Sequence, residues 1–304
     1  MSIDEMVGDT AMINILPPEI LISILSSFST RALLPMTPVS HRFHDVILRI
    51  LQFRLHQAAS VKDHQIILEA YHPSEKWATP FFLCEYLGTD EPENMESEDT
   101  GRLGKLSGMY SHFRPSRPEE DRREPRTHPA GGPLTTPSWL VNPPDQYSDS
   151  EGEFITQNLV LESHEMFSQL CSITNLVKMG PRKGLFLTSV NLGEDCLRLW
   201  RHWLDDQASA SKSLSSSPAA RIGSDKRVIW TGIRKDIGLK FQVSDRHEVQ
   251  PTIPLIRGEE APISYTLHYE EIVIRTAQLL LKLEQSLEQE SQHKGKAIIF
   301  GSWL

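Results

Sequence analysis

Residues 16–51 read LPPEILISILSSFSTRALLPMTPVSHRFHDVILRIL and decide the fold of the N-terminal part of the chain. Apolar residues recur there at three- and four-residue steps, which predicts short amphipathic helices. Pro17 and Pro18 suit the start of the first helix, because the N–H groups of a first helical turn lack partners within the helix. Short helices of this kind cannot bury so much apolar surface among themselves. Some of that surface must therefore face a partner or the next domain.

The second and third helices follow from residues that interrupt the apolar repeat. We predict the second from Thr30 to Met36, where Pro35 limits its length. Thr37 is expected to cap the third helix, with Pro38 at the first helical position.

Short segments of this region match a known pattern in order and spacing. They are residues 16–21, 24–25 and 33–34, and then Val39-Ser40 followed by Phe43. Residues 11–59 therefore resemble an F-box, the helical module by which receptor subunits of SCF-type cullin ubiquitin ligases bind a Skp-type adaptor. The resemblance implies that the adaptor-contacting residues are Leu16, Pro17, Ile20, Leu33, Leu34, Val39 and Phe43.

Two departures from the family pattern accompany this resemblance. Residues 29–32 stand where a Leu-Pro turn is commoner, and Pro38 stands where a basic or polar residue is usual. Neither removes one of the apolar contact positions. The alternative interpretation is that residues 16–51 are an ordinary helical subdomain packed on the rest of the chain.

Beyond residue 60 the pattern changes from helix to strand. Residues 60–88 contain strand-like segments, and similar segments separated by turn residues recur over 154–304. Leucines at helical spacing between Thr276 and Leu287 predict one late helix. The predicted fold class is α+β, with a three-helix module followed by a β-rich domain. We expect that domain to be a sandwich or a jelly roll closed by the late helix.

Two segments are predicted to lie outside the β-rich core. Residues 89–153 are rich in charge, proline and small residues, which predicts a mostly disordered insertion with an apolar island, 106–113, that returns to the fold. A Ser/Ala-rich surface loop is predicted near 206–226. Just before it, near-alternation of apolar and polar residues from Cys196 to Trp203 predicts a half-buried strand.

The downstream chain also resembles a group of fungal F-box proteins. The resemblance rests on residues 63–69, 71–74, 86–90, 110–115, 264–271, 274–276 and 295–303. It implies a shared architecture and no particular substrate. A β-rich domain behind an F-box is similar in outline to the sugar-binding F-box proteins, a likeness at the level of fold.

Composition limits the environments and partners of the chain. The net charge of −9 disfavours a nucleic-acid partner, which normally meets a basic face. Cys84, Cys171 and Cys196 are far apart and form no Cys-x-x-Cys pair, so we expect neither a disulfide scaffold nor a cysteine zinc site. The sequence contains no run of 18 apolar residues, so no membrane partner is expected. We expect an intracellular protein of the cytoplasm or the nucleus.

The known sequence patterns of catalytic sites are absent from this chain. The sequence has no Gly-x-Ser-x-Gly elbow, phosphate-binding loop or dinucleotide fingerprint, and we predict a protein without catalytic residues, metal or cofactor. Glu270 and Glu271 are the most notable acidic pair. Because neighbours in a strand point to opposite faces, we expect these two carboxylates not to share a site.

Candidate substrate-binding residues come from the last part of the chain. The candidates are Tyr265, Tyr269, Arg275 and Trp303. Aromatic rings can stack on a sugar, and a guanidinium can pair with an anion. The favoured alternative is that these four residues belong to the core and rim of the β-rich domain.

The sequence therefore predicts a substrate-recognition adaptor of an SCF-type ubiquitin ligase. Its F-box would bind the Skp-type adaptor and, through it, a cullin, while the β-rich domain would hold a protein substrate whose identity the sequence does not specify. The alternatives are an F-box scaffold that works outside any ligase and a carbohydrate-binding module.

Overall fold

The computed structural model shows a layer of helices packed on one large antiparallel sheet. Helix and strand are both extensive, so the α+β class predicted from the sequence is observed. None of the described helices is long and apolar enough to cross a membrane. The structure describes residues 16–75, 81–90, 102–117, 155–162, 164–181, 185–214, 227–245, 262–292 and 298–299.

The N-terminal stretch forms short helices, as its apolar repeat predicts. A 3₁₀ turn over Leu34–Met36 follows the second of them directly. The described helices are α1 (Pro18–Ser26), α2 (Thr30–Leu33), α3 (His41–Ala59), α4 (Arg102–Ser107), α5 (Arg201–Leu214) and α6 (Thr276–Gln292).

The third helix begins later than the sequence predicts. An N-cap needs non-helical backbone, and Thr37 is itself helical, with φ −58° and ψ −36°. Ser40 is extended instead, and its hydroxyl accepts from the Phe43 N–H at 3.2 Å. The predicted Thr37 cap with Pro38 at the first helical position is therefore wrong, and Ser40 starts α3.

The described strands all pair antiparallel in one ten-stranded sheet. Their order is β10-β6-β5-β1-β2-β3-β9-β8-β7, and β4 also pairs with β9. The strands are β1 (His64–Tyr71), β2 (Phe82–Thr89), β3 (Tyr110–Ser116), β4 (Ile155–Leu161), β5 (Phe167–Met179), β6 (Leu185–Trp200), β7 (Val228–Trp230), β8 (Ile237–Asp245), β9 (Ile263–Arg275) and β10 (Ile298–Ile299).

The sheet curls on itself, so the predicted two-sheet sandwich or jelly roll is not what the described strands form. Strands β6 and β8 lie far apart in the strand order, yet a Cβ at Gly193 would come 2.8 Å from Cδ1 of Ile237. Buried residues of eight strands, of α5 and of α6 share one apolar cluster, which we call the sheet core. Curling lets a single sheet enclose a core that otherwise requires a second sheet.

Part of the predicted disordered insertion belongs to the fold. Residues 102–117 form α4 and β3, and β3 lies inside the sheet between β2 and β9. Leu106 and Phe113 are 3% and 2% exposed, so the apolar island predicted at 106–113 is confirmed. Residues 91–101 and 118–153 lie outside the described residues.

The predicted strand from Cys196 to Trp203 and the predicted Ser/Ala-rich loop are both partly wrong. Strand β6 ends at Trp200, and Arg201–Leu214 is the helix α5. Leu204 and Ala208 are buried in the sheet core at the four-residue spacing of one helix face. Residues 215–226 of the predicted loop lie outside the described residues.

Helix α6 holds the helical layer against the sheet. Leu279 packs in the sheet core, whereas Leu280 packs in a second cluster formed with α1, α2, α3 and α4, which we call the helical cluster. The predicted late helix is confirmed, and it lies between the two parts of the fold.

Candidate functional site

The helical layer leaves several large apolar side chains exposed to solvent. Leu21 and Leu25 are each 3% exposed, whereas Ile20 and Ile24, one position earlier, are 48% and 47% exposed. Successive helical residues point about 100° apart, so α1 buries one apolar side and presents another to solvent. We use the name exposed apolar face for six of the exposed apolar residues between positions 17 and 39, namely Pro17, Ile20, Ile24, Phe28, Leu34 and Val39. Phe53 of α3 and Leu287 of α6 are also exposed but are not part of this set.

The seven residues expected to contact the adaptor fall into three groups by their exposure in the structure. Leu33 is completely buried in the helical cluster, so its side chain packs inside the module. Leu16 and Phe43 are partly buried, and the Leu16 carbonyl accepts a hydrogen bond from the Arg42 guanidinium. The remaining four belong to the exposed apolar face: Pro17, Ile20, Leu34 and Val39.

A partly buried charge network holds the segments that carry this face. Glu284 of α6 accepts from the Thr30 N–H, at 3.1 Å to each carboxylate oxygen, and from the Thr30 hydroxyl at 2.6 Å. Arg54 of α3 lies 3.2 Å from the same carboxylate and donates to the carbonyls of Ser26 and Phe28 at 3.0 and 2.7 Å. The network therefore satisfies carbonyls that the end of α1 leaves without helical partners, and it holds the segment that carries Phe28.

Further contacts join α6 to the sheet. His64 of β1 shares a 3.0 Å hydrogen bond with Ser286, and burial is the main cause that lowers the pKa of His64. Lys178 of β5 lies 2.7 Å from Glu290. Because α6 binds the helical layer on one side and the sheet on the other, the exposed apolar face has a fixed position relative to the sheet.

The two tyrosines proposed for stacking on a ligand are buried. Tyr265 is 0% exposed and its hydroxyl donates to Asp205 at 2.6 Å. Tyr269 is 2% exposed, its hydroxyl donates to Gln157 at 2.6 Å, and burial raises the pKa of its phenol. Both rings are therefore core residues, which is the alternative that the sequence favours.

Arg275 is held by its neighbours. Its Nη2 donates to the Tyr110 hydroxyl at 3.2 Å and to the Arg234 carbonyl at 2.5 Å, and its Nε lies 3.4 Å from Asp236. The guanidinium thus connects β9 to the turn between β7 and β8. Trp303 lies outside the described residues.

Glu270 and Glu271 approach the same cation, contrary to the expectation from strand alternation. Lys240 pairs with Glu271 in register while Phe241 pairs with Tyr269, so Glu270 is the extra residue of a β-bulge. A bulge breaks the alternation of side chains. Lys240 Nζ consequently lies 3.2 Å from Glu271 and 3.9 Å from Glu270. The expectation that the two carboxylates do not share a site is wrong.

Further charged side chains contact Glu270 and Glu271, and together with Lys240 they form one charged cluster. Arg227 lies 3.1 Å from Glu270. His112 Nδ1 lies 3.2 Å from Glu271, and its Nε2 lies 3.1 Å from Asp90. The hydrogen bond to Glu271, followed by that to Asp90, raises the pKa of His112, while His112 and Lys240 hold the pKa of Glu271 at about 2. Cations and carboxylates alternate along the cluster, an arrangement that joins β3, β8 and β9.

An open recess lies where β4 leads into β5. Its volume is about 760 Å³. Val160 and Met166 are 59% and 62% exposed and line it beside the carboxylates of Glu162 and Glu165. The recess therefore offers apolar contact and negative charge together, and no feature of the sequence had indicated it.

Comparisons of the chain with models of protein families, with curated proteins and with solved structures return no match. Within the described ranges, no group of three or more His, Cys, Asp or Glu side chains is arranged to hold a metal ion.

Proposed function

We propose that this chain is the substrate-recognition subunit of an SCF-type cullin ubiquitin ligase. The observation that carries the proposal is the exposed apolar face. Four of the positions that match the F-box pattern, namely Pro17, Ile20, Leu34 and Val39, are exposed on it. These are the positions at which the family resemblance expects contact with a Skp-type adaptor.

The energetics of the face favour a protein partner. Val39 is 65% exposed and Leu34 is 41% exposed. Fully burying an aliphatic side chain of this size stabilises by about 1.5–3 kcal/mol. Contact with an apolar groove would therefore gain a useful part of that energy at each position that it covers.

The firm attachment of the helical layer suits a receptor that works by proximity. In this role the chain carries out no bond chemistry. It holds a substrate at a defined distance from the ubiquitin-carrying enzyme, which raises the effective concentration of substrate lysines. The Glu284–Arg54 contact and the Lys178–Glu290 contact fix the helices to the sheet, and such fixation preserves that distance. We place this activity in the cytoplasm or the nucleus.

We assign the protein substrate to the recess between β4 and β5. Exposed Met166 and Val160 provide apolar contact there, and Glu162 and Glu165 favour a substrate segment that carries positive charge. Replacing Met166 with Lys should reduce substrate capture, because it removes an apolar contact and adds positive charge to the recess, and it should leave adaptor binding unchanged. Capture that is equal in both proteins would exclude the recess as the substrate surface.

The test of the adaptor surface is a pull-down with purified Skp-type adaptor and cullin. An Ile20→Asp, Val39→Asp double variant places charge on two exposed positions, and we expect its unfolding midpoint to stay close to that of the wild type. We expect it to lose adaptor binding by about tenfold or more. The matched control is Ile233→Asp, which changes a fully exposed apolar residue in the turn between β7 and β8. If the wild-type protein captures neither adaptor nor cullin, the proposal fails.

The same experiment separates the remaining alternatives. Binding of the adaptor without cullin would favour an F-box scaffold that works outside a ligase. The carbohydrate-binding alternative is weakened because Tyr265 and Tyr269 are buried and their hydroxyls are bonded to other side chains.

A further inference from the structure

Two cysteines that lie far apart in the sequence meet on neighbouring strands. Cys171 of β5 is the register partner of Cys196 of β6. Their Sγ atoms are 3.1 Å apart. No covalent bond joins the two sulfur atoms at this distance, because a disulfide bond is about 2.05 Å long.

The backbone already meets the requirement for a bond between them. Directly opposed residues of an antiparallel pair have Cα atoms about 4.5 or about 5.5 Å apart, depending on the hydrogen-bonding pattern. Both separations lie within the range of about 4.4–6.8 Å found in disulfides. Closing the gap between the Sγ atoms of Cys171 and Cys196 therefore takes a movement of about 1 Å by side chains, with no change of strand register.

The pair can be reached from solvent. Cys196 is exposed and Cys171 is partly exposed, whereas their neighbours Ser172 and Leu197 are buried on the opposite face of the sheet. Cys84 differs from both, since it is 4% exposed and burial raises the pKa of its thiol. Accessibility and a thiol partner are the conditions that make a cysteine oxidisable.

We propose that Cys171 and Cys196 form an oxidisable dithiol, which hydrogen peroxide converts into an intrachain disulfide. One thiol loses its proton and its thiolate attacks the peroxide, which gives a sulfenic acid and a hydroxide that takes up the proton to become water. The second thiol attacks that sulfur and displaces a second water. Overall, two thiols and one hydrogen peroxide give one disulfide and two waters, with two electrons passing from sulfur to the peroxide.

The disulfide would stiffen one wall of the recess. Gln169, two residues before Cys171 on β5, lines the recess, and so does Phe167, whose ring lies 5.2 Å from that of Trp200. A bond between β5 and β6 beside these residues restricts separation of the two strands. In a reducing compartment the bond is expected to be transient, which is the usual behaviour of redox-sensing cysteines. The proposal stands on the register and the sulfur distance alone, so it is independent of the ligase function.

The test is oxidation of the full chain with hydrogen peroxide, followed by intact mass and non-reducing peptide mapping. We expect a loss of about 2 Da and a linked peptide pair that contains Cys171 and Cys196, both reversed by dithiothreitol. Cys84→Ser is the matched control and should oxidise in the same way. Either Cys171→Ser or Cys196→Ser should abolish the 2 Da loss, and the second changes an exposed position, so folding is retained.

Two outcomes of this oxidation experiment would overturn the proposal. Oxidation of the wild-type protein that only adds oxygen to the cysteines would overturn the proposal. A disulfide that joins two chains through Cys196 would overturn it as well, because the bond must lie within one chain.

Discussion

The carboxylate of Glu284 lies 3.2 Å from the guanidinium of Arg54, which joins the last long helix to the third. The same carboxylate receives both hydrogen bonds of Thr30 at the start of α2. Both charged side chains are largely buried, at 17% exposed for Arg54 and 23% for Glu284. One residue of α6 therefore organises the approach of α2 and α3, and so the geometry of the exposed apolar face.

Replacing Glu284 with Ala should destabilise the protein by about 1–3 kcal/mol, since it leaves buried donors of Thr30 and Arg54 without their acceptor. Urea unfolding followed by circular dichroism measures the change. Glu288→Ala removes an exposed carboxylate from the same helix and should change the free energy of unfolding by less than about 0.5 kcal/mol. Equal effects of the two substitutions would show that the network does not anchor the helices.

Truncation of Leu33 should lower the stability of the protein, whereas truncation of Val39 should weaken adaptor binding. Leu33 is 0% exposed, so Leu33→Ala should cost about 2–5 kcal/mol through lost burial and the cavity left behind. Val39 is 65% exposed, so Val39→Ala should change stability by less than about 0.5 kcal/mol and weaken adaptor binding. Thermal unfolding and the pull-down measure these two effects separately. A Val39→Ala variant that unfolds as easily as Leu33→Ala would contradict the exposed apolar face.

His112 should make stability depend on pH in a defined direction. Its folded pKa is raised above 6.5, so its contribution is fully present below that value and is lost as the pH rises through the folded pKa. The difference in unfolding free energy between wild type and His112→Gln should therefore be larger at about pH 6 than at about pH 9. His64 and His268 have lowered pKa values and act in the opposite sense, but they are present in both proteins and cancel in the difference.

Glu271 provides the acidic counterpart of this prediction. Its pKa is lowered from 4.5 to about 2, so its contribution is present above 4.5 and is lost as the pH falls towards 2. The difference in unfolding free energy between wild type and Glu271→Gln should therefore be larger at about pH 6 than at about pH 2.5. The control for the His112 measurement is a Gln substitution of His41, which is exposed on α3. A His112→Gln difference that stays constant with pH would rule out the ion pairs described for His112.

Gly238 should not tolerate a side chain, whereas Gly88 should. A Cβ at Gly238 would lie 2.6 Å from Cγ1 of Val228 and 3.0 Å from the ring of Trp230, while a Cβ at Gly88 would meet nothing within 4 Å. We expect Gly238→Ala to cost about 1–3 kcal/mol, because β7 must move away from β8. Gly88→Ala should be nearly neutral. Thermal unfolding of the two variants tests this, and equal midpoints would show that β7 does not pack closely on Gly238.

The sequence predicts local helices well because their signal repeats within a few residues. The apolar steps of α1 and the leucines of α6 each appear in a single window. The sequence does not predict which apolar residue faces solvent. Leu33 and Leu34 are identical neighbours, yet one is 0% and the other 41% exposed. Leu33 is buried in the helical cluster, which is assembled from distant helices, and a local pattern does not contain that assembly.

Contacts between strands cannot be predicted from the sequence for a similar reason. The bulge at Glu270 and the pairing of Cys171 with Cys196 depend on strand register, which is fixed only when distant segments pair. The sequence does not predict helix α5, because apolar and polar residues alternate from Cys196 to Trp200 and this strand pattern continues into Arg201. The four-residue spacing of Leu204 and Ala208 was the signal available for that helix.

The order of the strands has a consequence for synthesis of the protein on the ribosome. Strand β1 pairs with β5, and β3 pairs with β9, across long stretches of intervening chain, while Thr30 meets Glu284 across 254 residues. Closing such long loops is entropically costly and slows folding. The nascent chain must therefore wait until α6 has emerged before either layer is complete, and we expect folding to be late and cooperative, with a period in which chaperones are needed.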